Sequence, residues 1–151
     1  MTEYGLKYNK ELNAFVPMDA IQAELMCDEF KEGEIVAATL KRPTSNKLRT
    51  IAQNNSLYLW CERLGKSLND GGLDMRRSFE KMKEGYSIPW TKERVKEYLF
   101  DPVMRNLTGK TSSAKLDTKE ISEVYEIADQ AISSNLGVHE PWPNAYDRSF
   151  E

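Results

Sequence analysis

The chain has 151 residues, a formal net charge of −3, and 40% hydrophobic against 30% charged residues. That length suits one domain that buries its core without staples, the apolar share excludes a wholly disordered chain, and no apolar run approaches the ~18 residues of a membrane span. Residues 1–10 carry charges at both ends and no apolar centre, which argues against a secretory signal and gives a cytoplasmic expectation.

In chain order, Tyr4-Gly5-Leu6-Lys7-Tyr8 and Asn13-Ala14-Phe15-Val16 flank a turn-rich stretch and predict a small β-hairpin. Pro17 suits a helix start. Ile21, Leu25 and the run from Cys27 to Phe30 then predict an acidic first helix that Gly33 stops. Glu34-Ile35-Val36-Ala37-Ala38-Thr39-Leu40-Lys41, bounded by Gly33 and Pro43, predicts a strand. Residues 42–49 predict a basic loop. Residues 50–68 predict a second helix, with Ile51, Leu57, Trp60, Cys61, Leu64 and Leu68 on its apolar stripe.

A third helix is expected over residues 73–84, carrying Met75, Phe79 and Met82 opposite Arg76, Arg77, Lys81 and Lys83. Thr91 predicts the cap of a fourth, with Val95, Tyr98 and Leu99 facing inward. Pro102 interrupts it, and Val103, Met104 and Leu107 continue in a short segment. Residues 108–116 predict a loop or edge strand. Asp117-Thr118-Lys119-Glu120 is a capping box. Behind it, Ile121, Val124, Tyr125, Ala128 and Ile132 keep helical spacing as far as Gly137. The Pro141-Trp142-Pro143 tail excludes regular structure. The class is α+β: a helix-dominated single domain with a small β-sheet or hairpin near the N-terminus.

The two cysteines, Cys27 and Cys61, read as buried small hydrophobes. His139 reads as a solvated loop side chain. No spacing suits a metal site, a nucleophilic dyad or a phosphate loop, so neither a catalytic residue nor a cofactor is expected.

Charge is distributed unevenly. Residues 1–34 carry −5, residues 35–115 carry +8 and residues 116–151 carry −6. A basic middle between acidic ends fits a nucleic-acid partner despite the negative total. Two stretches carry the matching chemistry. Lys41, Arg42, Lys47 and Arg49 precede Gln53, Asn54 and Asn55, then Tyr58 and Trp60. Cations neutralise phosphates, amides bond phosphates or base edges, and exposed rings stack on unpaired bases. Trp60 fits the core better than a stacking platform. Lys110 and Lys115 frame the second stretch, a small hydroxyl-rich segment suited to phosphate contacts.

Arg49-Thr50-Ile51-Ala52-Gln53-Asn54-Asn55-Ser56-Leu57-Tyr58-Leu59-Trp60 resembles the R-S-x-x-Q-N-x-x-x-W signature of the phage NinB family, with Tyr58 at the tryptophan position and Trp60 two residues later. Lys115-Leu116 with Glu120, and Gly137-Val138-His139-Glu140-Pro141-Trp142-Pro143, are similar to that family's C-terminal half. The resemblance covers roughly residues 34–143. It implies a DNA-binding core there; outside it, the residues themselves read 1–33 as an N-terminal hairpin and acidic helix of the same domain and 144–151 as a tail. It further implies a homodimeric recombination accessory protein, not an enzyme. Such a protein prefers single-stranded DNA, engages the host single-stranded DNA-binding protein, and helps load a recombinase or annealing protein. Lys41, Arg42, Lys47, Arg49, Arg76, Arg77, Lys110 and Lys115 would neutralise phosphates. Gln53 and Asn54 would fix the strand, and Tyr58 would stack. One competing reading is an interaction module that meets a host protein through the acidic first helix and the Pro141-Trp142-Pro143 tail. Another is a nuclease built on Asp70, Asp74 and Glu80.

Overall fold

The N-terminal hairpin forms. In a computed structural model that describes residues 3–75 and 88–144, β1 (Leu6–Asn9) pairs antiparallel with β2 (Ala14–Pro17), setting Leu6 opposite Pro17 and Asn9 opposite Ala14. Pro17 therefore closes a strand and does not open a helix. The helix cap is Asp19, whose carboxylate accepts from the Gln22 amide at 3.0 Å and starts α1 (Ala20–Glu29). Phe30 ends α1 in an extended conformation, three residues before Gly33.

Three expectations fail between Cys27 and residue 50. Residues 34–41 form no strand and are exposed throughout. β-branched composition favours a pleated, half-buried surface, but the two strands of the sheet pair with each other. Residues 45–49 are not loop. They are the first turn of α2 (Ser45–Asp70), which Thr44 nucleates by accepting the Lys47 amide on its hydroxyl at 3.2 Å and the Leu48 amide on its carbonyl at 2.9 Å. Cys27 is exposed, not buried. Ile21, Gln22 and Leu25 form the buried side of α1, and at about 100° per residue Cys27 falls on the opposite side.

The chain divides into two compact units, Met1–Leu59 with Pro143–Glu151, and Trp60–Trp142. In the first, Ile21, Leu25 and Leu59 form a buried cluster against Tyr4. A polar knot lies beside it. Asn55, only 2% exposed, donates its amide to the Gln22 side-chain oxygen at 2.6 Å and to the Glu3 carbonyl at 2.9 Å. The same Gln22 oxygen accepts the Gly5 amide at 3.1 Å.

The second unit is built on an aromatic cluster. Trp60 is fully buried and meets Phe100, Tyr125 and Trp142 at ring-centroid distances of 6.1, 5.5 and 6.1 Å. The Glu140 carbonyl accepts both Trp60 Nε1–H and the Tyr125 hydroxyl, each at 3.0 Å. Burial, and then the Asp129 carboxylate, raise the Tyr125 phenol above its ordinary range, which keeps it a donor. Asn69 plays a similar part for Trp90, accepting its amide at 2.7 Å and donating to its carbonyl at 2.8 Å.

Thr91 caps α3 (Lys92–Val95) as expected, but α3 runs on into a π-helical turn, Lys96–Phe100. The added residue advances every later side chain by about 100°. Tyr98, expected to face inward, is 49% exposed, and Phe100 is buried. Pro102 sits in the first turn of α4 (Asp101–Thr108). Residues 109–117 are loop with one 3₁₀ turn, Ser113–Lys115, and form no edge strand.

In α5 (Thr118–Leu136) the capping box is complete. Asp117 accepts the Glu120 amide at 2.8 Å, and Glu120 accepts the Asp117 amide at 3.1 Å. Ile121, Val124, Ala128 and Ile132 are buried, and Gly137 closes the helix at φ +69°, a conformation that costs a side-chain-bearing residue energy. The expected helix over residues 73–84, with Arg76, Arg77 and Glu80, lies almost wholly outside the described residues. Among those described, no helix is long and apolar enough to cross a membrane.

Two measurements check these placements. The Glu120 amide holds the Asp117 carboxyl below its ordinary value of 3.8. A depressed carboxyl stabilises the fold above its unfolded pKa, and that contribution is lost as pH falls through the lower folded value. Asp117→Asn keeps an acceptor but removes the titration. Its stability, followed by circular dichroism, is expected to fall less steeply below about pH 4 than that of the parent. The second check is thiol reactivity. Cys27 is exposed, whereas Cys61 is buried and its thiol is pushed up by that burial. Ellman's reagent should label one thiol in the native protein and both in denaturant, and Cys27→Ser should abolish native labelling.

Candidate nucleic-acid interface

The basic segment enters α2 without a countercharge of its own. No acidic residue stands between Glu34 and Glu62. Lys41, Arg42, Lys47 and Arg49 are all exposed, the first two ahead of α2 and the others in its opening turns. The first turn holds no acidic side chain, so the positive end of the helix dipole adds to the four cations. Lys47 meets Glu3 at 2.8 Å, with both side chains about half exposed. A pair so open to water is weak and readily exchanged for a phosphate.

Helical spacing sorts the remaining candidates. Lys47, Asn54 and Tyr58 stand at i, i+7 and i+11 and share one stripe of α2. Arg49 and Gln53, at i and i+4, share another. Gln53, Asn54 and Tyr58 are half-buried, so each presents only part of its surface. Asn55 belongs to the interior knot and is withdrawn from any ligand. Trp60 is likewise core.

The lysine pair of the second stretch separates. Lys110 donates to Glu120 at 2.5 Å and to the Lys115 carbonyl at 3.1 Å, which ties the loop to the α5 capping box. Its charge serves the fold. The Lys115 side chain is exposed and remains a phosphate candidate. Arg76 and Arg77 lie outside the described residues.

The tail proposed for a protein partner is used internally. Trp142 packs 5.1 Å from Tyr125 as well as against Trp60, and Ser67 donates to the Glu140 carboxylate at 3.0 Å. His139 is in a loop as expected, with Nδ1 2.8 Å from the Asp129 carboxylate. A cleft of about 400 Å³ is lined by Glu62, Lys66, Asn69, Asp70, Trp90 and Lys92 among others, and its charges are of mixed sign. Among the described residues, no three His, Cys, Asp or Glu side chains are grouped to hold a metal ion.

Two signals for this site were present in the sequence and easily missed. One is Thr44, a helix cap disguised by its place in a loop-like run. The other is the acid-free stretch itself, which a net charge averaged over residues 35–115 conceals. No known protein family, curated protein or solved structure matches the chain.

Proposed function

We propose that the chain is a DNA-binding accessory protein of phage homologous recombination, of the NinB type. It binds single-stranded DNA in preference to duplex and performs no chemistry of its own. It works as a homodimer in the cytoplasm of the bacterial host, beside the host single-stranded DNA-binding protein, and assists recombinase or annealing-protein loading. One observation carries this reading: an exposed segment of four cations, with no acid between Glu34 and Glu62, running into the acid-free first turn of α2. Phosphates supply the missing negative charge, and the half-exposed Tyr58 on the Lys47 stripe offers a ring to an unpaired base.

The test is charge reversal at Lys41 and Arg49, neither of which is buried. The Lys41→Glu, Arg49→Glu double variant should keep its circular dichroism spectrum. It should bind a labelled single-stranded oligonucleotide roughly 10–100-fold more weakly at low salt. Unchanged affinity in that variant removes the segment from the interface.

A further inference from the structure

The same segment carries a second, apolar property, which shares only Arg42 with the phosphate interface. Ile35 is 98% exposed, and Val36 and Leu40 are about half exposed. Among the described residues no hydrogen bond reaches the backbone of residues 35–43. β-branched and aliphatic side chains in water, beside unpaired backbone groups, are the ingredients of a strand that lacks its neighbour.

We infer that residues 34–42 pair with the same residues of a second copy, forming a two-stranded antiparallel ribbon centred on Ala38. The residues themselves specify the occupant. A two-fold axis through a ribbon of identical strands sets one residue opposite itself, as an isologous interface requires. With Ala38 at the axis, Glu34 stands opposite Arg42 of the copy, and Val36 opposite Leu40. Positions 34, 36, 38, 40 and 42 then share one face. That face reads Glu, Val, Ala, Leu, Arg along one strand and the reverse along the other. An apolar strip of Val36, Ala38 and Leu40 is closed at each end by an opposite-charge pair. The other face sets Ile35 beside the stem of Lys41 and Ala37 beside Thr39.

Centring on Ala37 instead sets Glu34 against Leu40 and breaks the apolar strip. The local backbone also bounds the ribbon. The Glu34 amide donates to the Lys31 carbonyl at 3.1 Å in a turn that contains Gly33 at φ +76°, so pairing starts no earlier than Glu34. In that turn one Glu34 carboxylate oxygen accepts the Lys31 amide at 2.9 Å, and the carboxylate has acceptor capacity left for Arg42. At the far end, Pro43 confines Arg42 to extended conformations and offers no amide to continue the ladder. Nine residues give a ribbon roughly 30 Å long, which suits a concentration-dependent dimer better than an obligate one.

This inference names the interface of the homodimer included in the proposed function, and it stands or falls without DNA. Sedimentation velocity over a range of concentrations, in the absence of nucleic acid, reads it directly. The parent should pass from monomer to dimer. Glu34→Arg sets Arg against Arg42, and Arg42→Glu sets Glu against Glu34. Each should weaken self-association at least about tenfold, and the double exchange should restore most of it. Register has its own readout in a Cys27→Ser background. Ala38→Cys should be joined efficiently by a short thiol crosslinker, because the two positions face each other. Ile35→Cys should not, because its copies lie about 20 Å apart along the ribbon. A parent that stays monomeric at the highest concentration, a double exchange that fails to rescue, or equal crosslinking at positions 35 and 38 would each overturn the ribbon. Oligonucleotide affinity of Glu34→Arg, which keeps all four cations, leaves the DNA-binding reading separately testable.

Discussion

Trp60→Ala is expected to destabilise the protein by about 3–5 kcal/mol, the range for truncating a fully buried large aromatic. Trp60 meets three rings, Phe100, Tyr125 and Trp142, and donates its ring N–H to the Glu140 carbonyl. Truncation opens a cavity among all three. It also removes one of the two hydrogen bonds to the Glu140 carbonyl, leaving the Tyr125 hydroxyl on that oxygen and Ser67 on the carboxylate. Trp60→Phe separates the contributions. It keeps most of the ring contacts, loses the N–H, and should cost about 1–3 kcal/mol. Urea denaturation of both variants checks this, and equal stability of parent and Trp60→Ala would remove the cluster from the core.

Asn55→Ala should cost about 2–3 kcal/mol, although it deletes only a small polar group. The Asn55 amide is shared between the Glu3 carbonyl and the Gln22 side chain, inside the unit formed around the hairpin and α1. Losing it strands the Glu3 carbonyl and leaves the Gln22 oxygen with the Gly5 amide alone. The Gln22 side-chain nitrogen already has no hydrogen-bond partner among the described residues. A further unsatisfied group on the fully buried Gln22 is costly, because it does not recover water. The same substitution also tests the placement of Asn55 in the fold: a stable Asn55→Ala variant with weakened oligonucleotide binding would return that residue to the interface.

How much of this was legible in the sequence depends on the range of the cause. The α5 capping box and the Gly137 stop are fixed by residues a few positions apart, and the structure reproduces both. The hairpin is equally local. Residues 34–41 form no strand within the chain because strand propensity specifies a surface and not a partner. Tyr98 faces outward because a π-helical turn breaks the 3.6-residue count that predicts an inward position for it. Residue type alone predicts a buried Cys27, but helical phase puts it on the exposed side of α1. At the site, the exposure of Lys41, Arg42, Lys47 and Arg49 followed from composition. The engagement of Lys110 by Glu120 and the burial of Asn55 depend on contacts distant in sequence, which spacing alone does not reveal.

The central claim is that the exposed cationic segment binds single-stranded DNA through its phosphates. Fluorescence anisotropy of a labelled single-stranded oligonucleotide, titrated with the parent protein at several salt concentrations, tests it most directly. Four phosphate contacts predict a log–log salt slope of roughly −3 per protomer. A duplex of the same length should bind more weakly. No binding at about 50 mM salt, or an affinity indifferent to salt, would contradict the claim.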